Sequence, residues 1–459
     1  MTREQIIARN REEYGERYAQ LKFPTGQEAA AALTRRNELL KAVAGKAALG
    51  CGGTKLDCNR LSPGCAVCVA GRWSCLFING RCNCDCFYCP SAQDDIGRPT
   101  TNSLEFDSPE DYADYIAAFG FTGVSFSGGE PLLTPERTLS YLRAVKKRFG
   151  AAVHTWLYTN GTLVASDILG QLRDAGLDEI RFDIGAVDYH LTKAVAAVGV
   201  IPTVTVEIPA VPEKYALLRD KISEMAACGI AHLNLHQLRL TPYNFERFQG
   251  RGYTFLHGEK VTVLESELCA LELIRDTLER GIDLPINYCS FVYKNRYQAQ
   301  AARRRNGAFA AKGHEALTEA GYIRSLALVG PSDAVLRQAE GLRQANVPAD
   351  AWLLSRSKER LNFHPSLGSL VATEGLEVRV SYSEAVQRQA VSYRYPFSEV
   401  RLNPGRKIII ERRPASAEIA LTPEGAAALL NCIHQPEQAW DIAELRPFEV
   451  LKEGLQEYF

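Results

Sequence analysis

CLFINGRCNCDCFYCP, residues 75–90, sets an apolar run of strand length directly before a loop with four cysteines in eight positions. The run 75–79 reads as a buried strand. In the loop, three residues separate Cys82 from Cys86 and two separate Cys86 from Cys89, while Cys84 falls outside that pattern. The number of cooperating thiols decides the chemistry. Three thiolates hold three irons of a 4Fe-4S cubane and leave the fourth iron open, whereas a fourth cysteine closes that corner. A CxxC pair alone is also compatible with zinc.

Working outward, apolar runs recur at 123–127, 154–160, 179–184, 203–208 and 232–238. Between them, segments such as PERTLSYLRAVKKRFG (135–150) and SDILGQLRDAGL (166–177) show helical apolar spacing, Ser or Pro starts and Gly stops. Six such units predict an α/β fold, a parallel sheet curved into a partial (βα)6 TIM-like barrel with its site at the C-terminal ends of the strands. Residues 1–73 read as a helical, Cys-rich N-terminal extension, and 74–310 as the barrel. Residues 325–459 read as a small C-terminal α+β unit, whose strand-like segments are LEVRVSY (376–382) and KIIIERR (407–413).

Composition bounds the function. With 459 residues, 46% of them hydrophobic and 23% charged, the chain has apolar mass for two or three domains. A net charge of -1 gives no bulk electrostatic case for nucleic acid or a membrane surface. No apolar run approaches the roughly 20 residues of a spanning helix, and the charged N-terminus lacks a signal-peptide core, so a cytoplasmic protein is expected. Thirteen cysteines, nine of them between Cys51 and Cys89, then point to metal binding rather than disulfides.

A second motif, SFSGGEPLL (125–133), ends the next strand. Gly128 and Gly129 permit backbone conformations and close approaches that other residues obstruct, and Glu130 sets a carboxylate beside them. Together, the CxxxCxxC of Cys82, Cys86 and Cys89, with Tyr88 in the aromatic slot, and this GGE resemble the radical S-adenosylmethionine (SAM) superfamily over about residues 74–300. The resemblance implies a 4Fe-4S cluster on the three cysteines and SAM bound to the open iron. It also implies that Gly128, Gly129 and Glu130 receive the SAM amino group, and that SAM is cleaved to methionine and a 5'-deoxyadenosyl radical. CAVCVAGRWSCLFINGRCNCDCFYCP (65–90), SGGEPLLTPERTL (127–139), WLYTNG (156–161), AGLDEIRFD (175–183) and INYCSFVYKNRYQ (286–298) are similar to a largely prokaryotic branch related to pyruvate formate-lyase activating enzyme.

Other candidates follow strand ends. Thr159 and Asn160 in LYTNG offer neutral donors and acceptors for ribose or substrate, or a simple turn. Arg181 and Asp183 share one strand face by period two, where Arg181 pairs with the SAM carboxylate or with Asp183 itself. In VEIPAVPE (206–213), Ile208 and Glu213 fit the superfamily's GxIxGxxE pattern, which implies an adenine contact for Ile208, although Val206 and Ala210 replace its glycines. His236, on one strand face with Asn234, is a candidate substrate contact.

Upstream, Cys51, Cys58, Cys65 and Cys68 have spacings of six, six and two residues. They suit a second 4Fe-4S cluster, the favoured expectation, or a structural zinc. Cys289 is a candidate catalytic thiol that donates a hydrogen atom, or a remote ligand to that upstream centre.

The expected activity is reductive SAM cleavage and modification of an unidentified small-molecule or protein substrate, with a flavodoxin- or ferredoxin-type reductant. The alternatives are an activase for a glycyl-radical enzyme, and a non-catalytic iron-sulfur scaffold or electron carrier.

Overall fold

The computed structural model describes residues 3–57, 60–434 and 442–458. They form two compact units, Met1–Gln298 with Glu453–Phe459, and Ala299–Lys452.

The first unit is built on seven parallel strands in chain order: Trp73–Asn79 (β1), Gly123–Gly128 (β2), His154–Thr159 (β3), Glu179–Phe182 (β4), Thr203–Pro209 (β5), His232–His236 (β6) and Ile286–Cys289 (β7). Each pairs with its sequence neighbour. The helices Pro109–Ala118, Pro135–Phe149, Ser166–Asp174, Thr192–Ala197, Tyr215–Ala227 and Leu264–Glu279 carry the chain from one strand to the next. This is an α/β sheet of the partial-barrel type. It exceeds the expected six strands by β7, whose four residues are too few to display a period.

Side-chain alternation divides the sheet into two faces. Leu76, Phe126, Leu157, Ile180, Val206, Leu233 and Ile286 lie on one and are wholly buried. Each stabilises the fold by about 1.5–3 kcal/mol relative to exposure. The opposite face carries Cys75, Ser125, Tyr158, Arg181, Glu207, Asn234 and Cys289, a polar interior that hydrogen bonds and ion pairs must satisfy.

The sheet is extended at both ends. Lys55–Asp57 pairs antiparallel with β7 and forms a hairpin with Ala48–Gly50, while Thr100–Thr101 pairs with β1. The Gly- and Cys-rich stretch that reads as loop therefore supplies a strand. It also supplies the helix Pro63–Val69, which starts at Pro63 and is capped by the Ser62 hydroxyl accepting from the Cys65 N–H.

The N-terminal helices belong to this unit rather than to a separate extension. Gly26–Val43 begins with a capping box between Thr25 and Glu28. Its Arg36 pairs with buried Glu267 at 3.2 Å and its Arg35 with Glu272 at 2.8 Å. The chain's last turn returns to the same carboxylate, with the Tyr458 hydroxyl donating to Glu267. Sequence texture places the boundaries at 73 and 310–325; the compact units divide at 298 and 453 instead. The reason is that these contacts join residues 191 to 237 positions apart, invisible to local composition.

The second unit is an α+β domain. Its antiparallel sheet contains Ile323–Val329, Arg360–Phe363, Glu377–Arg388, Phe397–Asn403 and Arg406–Pro414. Leu326, Leu328, Phe363, Val378 and Val380 pack with Val335 and Leu342 of the helix Ser332–Gln344 to form its core.

Candidate active site

The loop after β1 presents Cys82, Cys86 and Cys89, each partly exposed and unpaired by disulfide. Its base is fixed by Asn79, whose Oδ1 accepts from the Arg81 N–H at 2.9 Å and whose Nδ2 donates to the Glu130 carbonyl at 3.0 Å. The glycine pair makes this approach possible. A Cβ on Gly128 would stand 2.1 Å from the Asn79 oxygen, and one on Gly129 1.9 Å from the Arg81 oxygen. Gly128 also has a φ of +124°, which favours glycine. The glycines thus let the end of β2 seat the cysteine loop.

Glu130 is 0% exposed and spends its carboxylate on the fold. Oε1 accepts from the Leu132 N–H at 2.9 Å, Oε2 from the Asn160 N–H at 2.7 Å, and both from the Thr159 hydroxyl. Burial raises its pKa above the ordinary carboxylate value, against the pull of these donors. Three donors meet this carboxylate, which ties the end of β2 to the end of β3.

The Thr159 hydroxyl faces Glu130. Asn160 reaches the cysteine loop, where its Nδ2 lies 3.6 Å from Cys82 Sγ and 2.8 Å from Asn83 Oδ1. Tyr88 donates to Asp183 at 2.8 Å, joining the loop to the end of β4. Burial lifts the Asp183 pKa to about 6.

Arg181 does not pair with Asp183 and has no free face. It is 3% exposed, lies 2.8 Å from Glu179 and 2.7 Å from Glu207, and donates to Ser62 Oγ at 3.0 Å. Burial alone would raise the Glu179 carboxyl, but Arg181 and His154 outweigh it and hold it well below the ordinary range. Ile208 is fully buried and shares the apolar face with Val204 and Val206, opposite Thr205 and Glu207, because the strand alternates.

A segment absent from the motif reading holds the outer side of the loop. Thr241 Oγ1 donates to the Pro90 carbonyl, Asn244 Nδ2 to that of Tyr88, and Arg247 Nη1 to that of Cys86, while Arg247 pairs with Asp85 at 2.7 Å. These polar residues follow β6 in TPYNFER (241–247), where only the fold reveals their partners.

The donor set fits a 4Fe-4S cluster with three protein ligands: one preformed loop offers three unbridged thiols, and the glycine pair removes the Cβ atoms that would displace it. Burial pushes the Cys86 thiol up to about 12 and raises that of Cys89. Both keep their protons until a metal displaces them.

The upstream cysteines are divided. Cys58 lies outside the described residues. Cys65 and Cys68 stand on the helix Pro63–Val69, with Cys65 Sγ 3.8 Å from Asn287 Nδ2 and Cys68 Sγ 3.3 Å from Tyr293 Oη. Cys51 sits at the turn before Lys55–Asp57, and Cys289 lies opposite Lys55. Among the described residues, no three His, Cys, Asp or Glu side chains converge on a single metal-ion position. No helix among them is long and apolar enough to cross a membrane.

Residues 76–199 match the Radical SAM superfamily model. A provisionally named glycyl-radical enzyme activating enzyme of Methanocaldococcus jannaschii is 30% identical over 305 residues, covering 63% of this chain and 79% of the relative. A GTP 3',8-cyclase of Xanthomonas axonopodis pv. citri is 32% identical over 39% of this chain and 52% of its own. The crystal structure of Streptococcus suis SuiB bound to S-adenosylmethionine shows 13% identity and a TM-score of 0.34, with 49% and 50% of the two chains covered. That structural likeness is too weak to bear on function. The archaeal relative, aligned over most of its length, and the superfamily match across β1 to β4 make this chain a member of the radical SAM superfamily, an enzyme type that works with a 4Fe-4S cluster and SAM.

Proposed function

We propose that Cys82, Cys86 and Cys89 ligate the cluster, leaving one iron for SAM, and that the polar face of the sheet receives a small hydrogen-bonding substrate. When bound and reduced, the cluster supplies the electron that splits SAM into methionine and a 5'-deoxyadenosyl radical, which removes a hydrogen atom from that substrate. The reductant is a flavodoxin- or ferredoxin-type protein.

The observation that carries the substrate class is the interior row Tyr158, Glu207, Asn234 and His236. Glu207 accepts from Asn234 Nδ2 at 3.1 Å, and Asn234 Oδ1 accepts from Asn287 Nδ2 at 3.2 Å. Burial, with Lys294 nearby, lowers the His236 pKa to about 4. At neutral pH its imidazole is uncharged; one ring nitrogen meets the Gln237 backbone and the other is left for a partner, which suits a polar molecule better than an aliphatic one.

A glycyl-radical-enzyme activase is the second reading, favoured by the archaeal relative's name. Anaerobically reconstituted protein given dithionite and SAM is expected to release 5'-deoxyadenosine, and the Cys86→Ala variant is expected to release none. Equal yields from the two would overturn the proposal. A stable glycyl-radical signal appearing only with a protein partner would replace the small-substrate reading with the activase.

A further inference from the structure

We propose that Cys51, Cys65, Cys68 and Cys289 are the four ligands of a second 4Fe-4S cluster, with Lys55 as its buried counter-charge. Three chain segments meet there. Cys289 ends β7 directly opposite Lys55 in antiparallel register. Cys51 stands in the turn that opens the Lys55 strand, its carbonyl accepting from both the N–H and the hydroxyl of Thr54. Cys65 and Cys68, three apart on one helix, share a face. The chain that follows β7 is tied in as well: Ser290 Oγ donates to the Thr54 carbonyl, and Gln298 Nε2 lies 2.9 Å from Cys68 Sγ.

Lys55 is the independent observation. It is 3% exposed, and no carboxylate among the described residues lies within ion-pair distance of it. Its ammonium sits 4.8 Å over the Tyr293 ring. Cys289, Cys65 and Cys68 lie within electrostatic reach of it, and so does Cys51. A buried ammonium with no ion-paired carboxylate is costly, and it needs an anion. A cluster with four thiolates is net anionic and supplies one at the centre of this group. Four thiolates also leave no iron open, so the centre binds no substrate, and Cys289 is a ligand rather than a hydrogen-atom donor.

The centre is isolated by the Cys82/Cys86/Cys89 triple alanine variant, purified anaerobically. It is expected to carry about four irons per chain and the electron paramagnetic resonance signal of a reduced 4Fe-4S cluster. Adding Cys289→Ser or Cys68→Ser removes iron and signal together, while adding Cys58→Ser or Cys75→Ser leaves both; circular dichroism checks that each variant is folded. Lys55→Met, in the triple variant, keeps the iron and moves the midpoint potential to more negative values. Zinc in place of iron, no metal in the triple variant, or loss with Cys58→Ser but not Cys289→Ser overturns the assignment. Because the triple variant lacks the ligands for SAM chemistry, these readouts stand or fall separately from the proposed activity.

Discussion

The two thiol groups of this chain differ in how they are assembled. Cys82, Cys86 and Cys89 come from one loop of eight residues, and side chains outside it hold that loop in place: Asn79, Asn160, Asp183 and Arg247. Cys51, Cys65, Cys68 and Cys289 come from a turn, a helix and a strand end, and what gathers them is the hydrogen-bonded interior itself. A contiguous site can be read from spacing and depends on its anchors for orientation. A dispersed site depends on the whole sheet, so damage to the interior should reach it first.

Arg181→Met is the strongest way to break that contrast. Arg181 links β4 to Glu207 on β5 and to Ser62 at the start of the Cys65 helix. Removing it leaves the buried Glu179 and the partly buried Glu207 without their common cation. The expected cost is about 3–5 kcal/mol, the usual penalty for stripping one partner from a buried pair, read by urea unfolding of the metal-free protein. If Arg181 served the SAM carboxylate instead, the metal-free protein would unfold as wild type does and only SAM affinity would fall.

Glu130→Gln tests the anchors of the contiguous loop, with a smaller effect. The two backbone N–H groups of Leu132 and Asn160 each point at a different oxygen. A glutamine offers only one acceptor oxygen, so one N–H must face an NH2 group. Leaving one buried donor unsatisfied costs about 1–3 kcal/mol. Thermal unfolding of metal-free protein should show it. An unchanged melt with weakened SAM binding would return Glu130 to the role of a ligand.

These two residues also mark where sequence reading ends. Strand and helix periods, the cysteine spacing and the GGE motif are local, so the parallel sheet and the loop were legible. Arg181 shares its strand face with Glu179 by period two, but its pairing with Glu207 on the next strand depends on register. Ile208 fitted a motif by position, yet alternation from Glu207 turns it to the apolar face. Lys55 carries no local signal, and only its pairing with Cys289 makes it a buried cation among thiols. Asn244 and Arg247 hold the loop from more than 150 residues away, with no local pattern to announce them.

Cys84→Ser sharpens the contrast from the opposite side, with the smallest effect. Cys84 belongs to the contiguous group by sequence; its N–H points at Cys82 Sγ at 3.4 Å, and its thiol faces the same sulfur. A serine keeps that N–H and changes only a partly exposed side chain, which alters stability by about 0.5 kcal/mol or less. Iron content and 5'-deoxyadenosine release should therefore match wild type. Loss of the cluster in this variant would mean that the loop closes the fourth iron with its own thiol. The open corner on which SAM binding depends would then not exist, and the chemistry assigned to the loop would have to move elsewhere in the molecule.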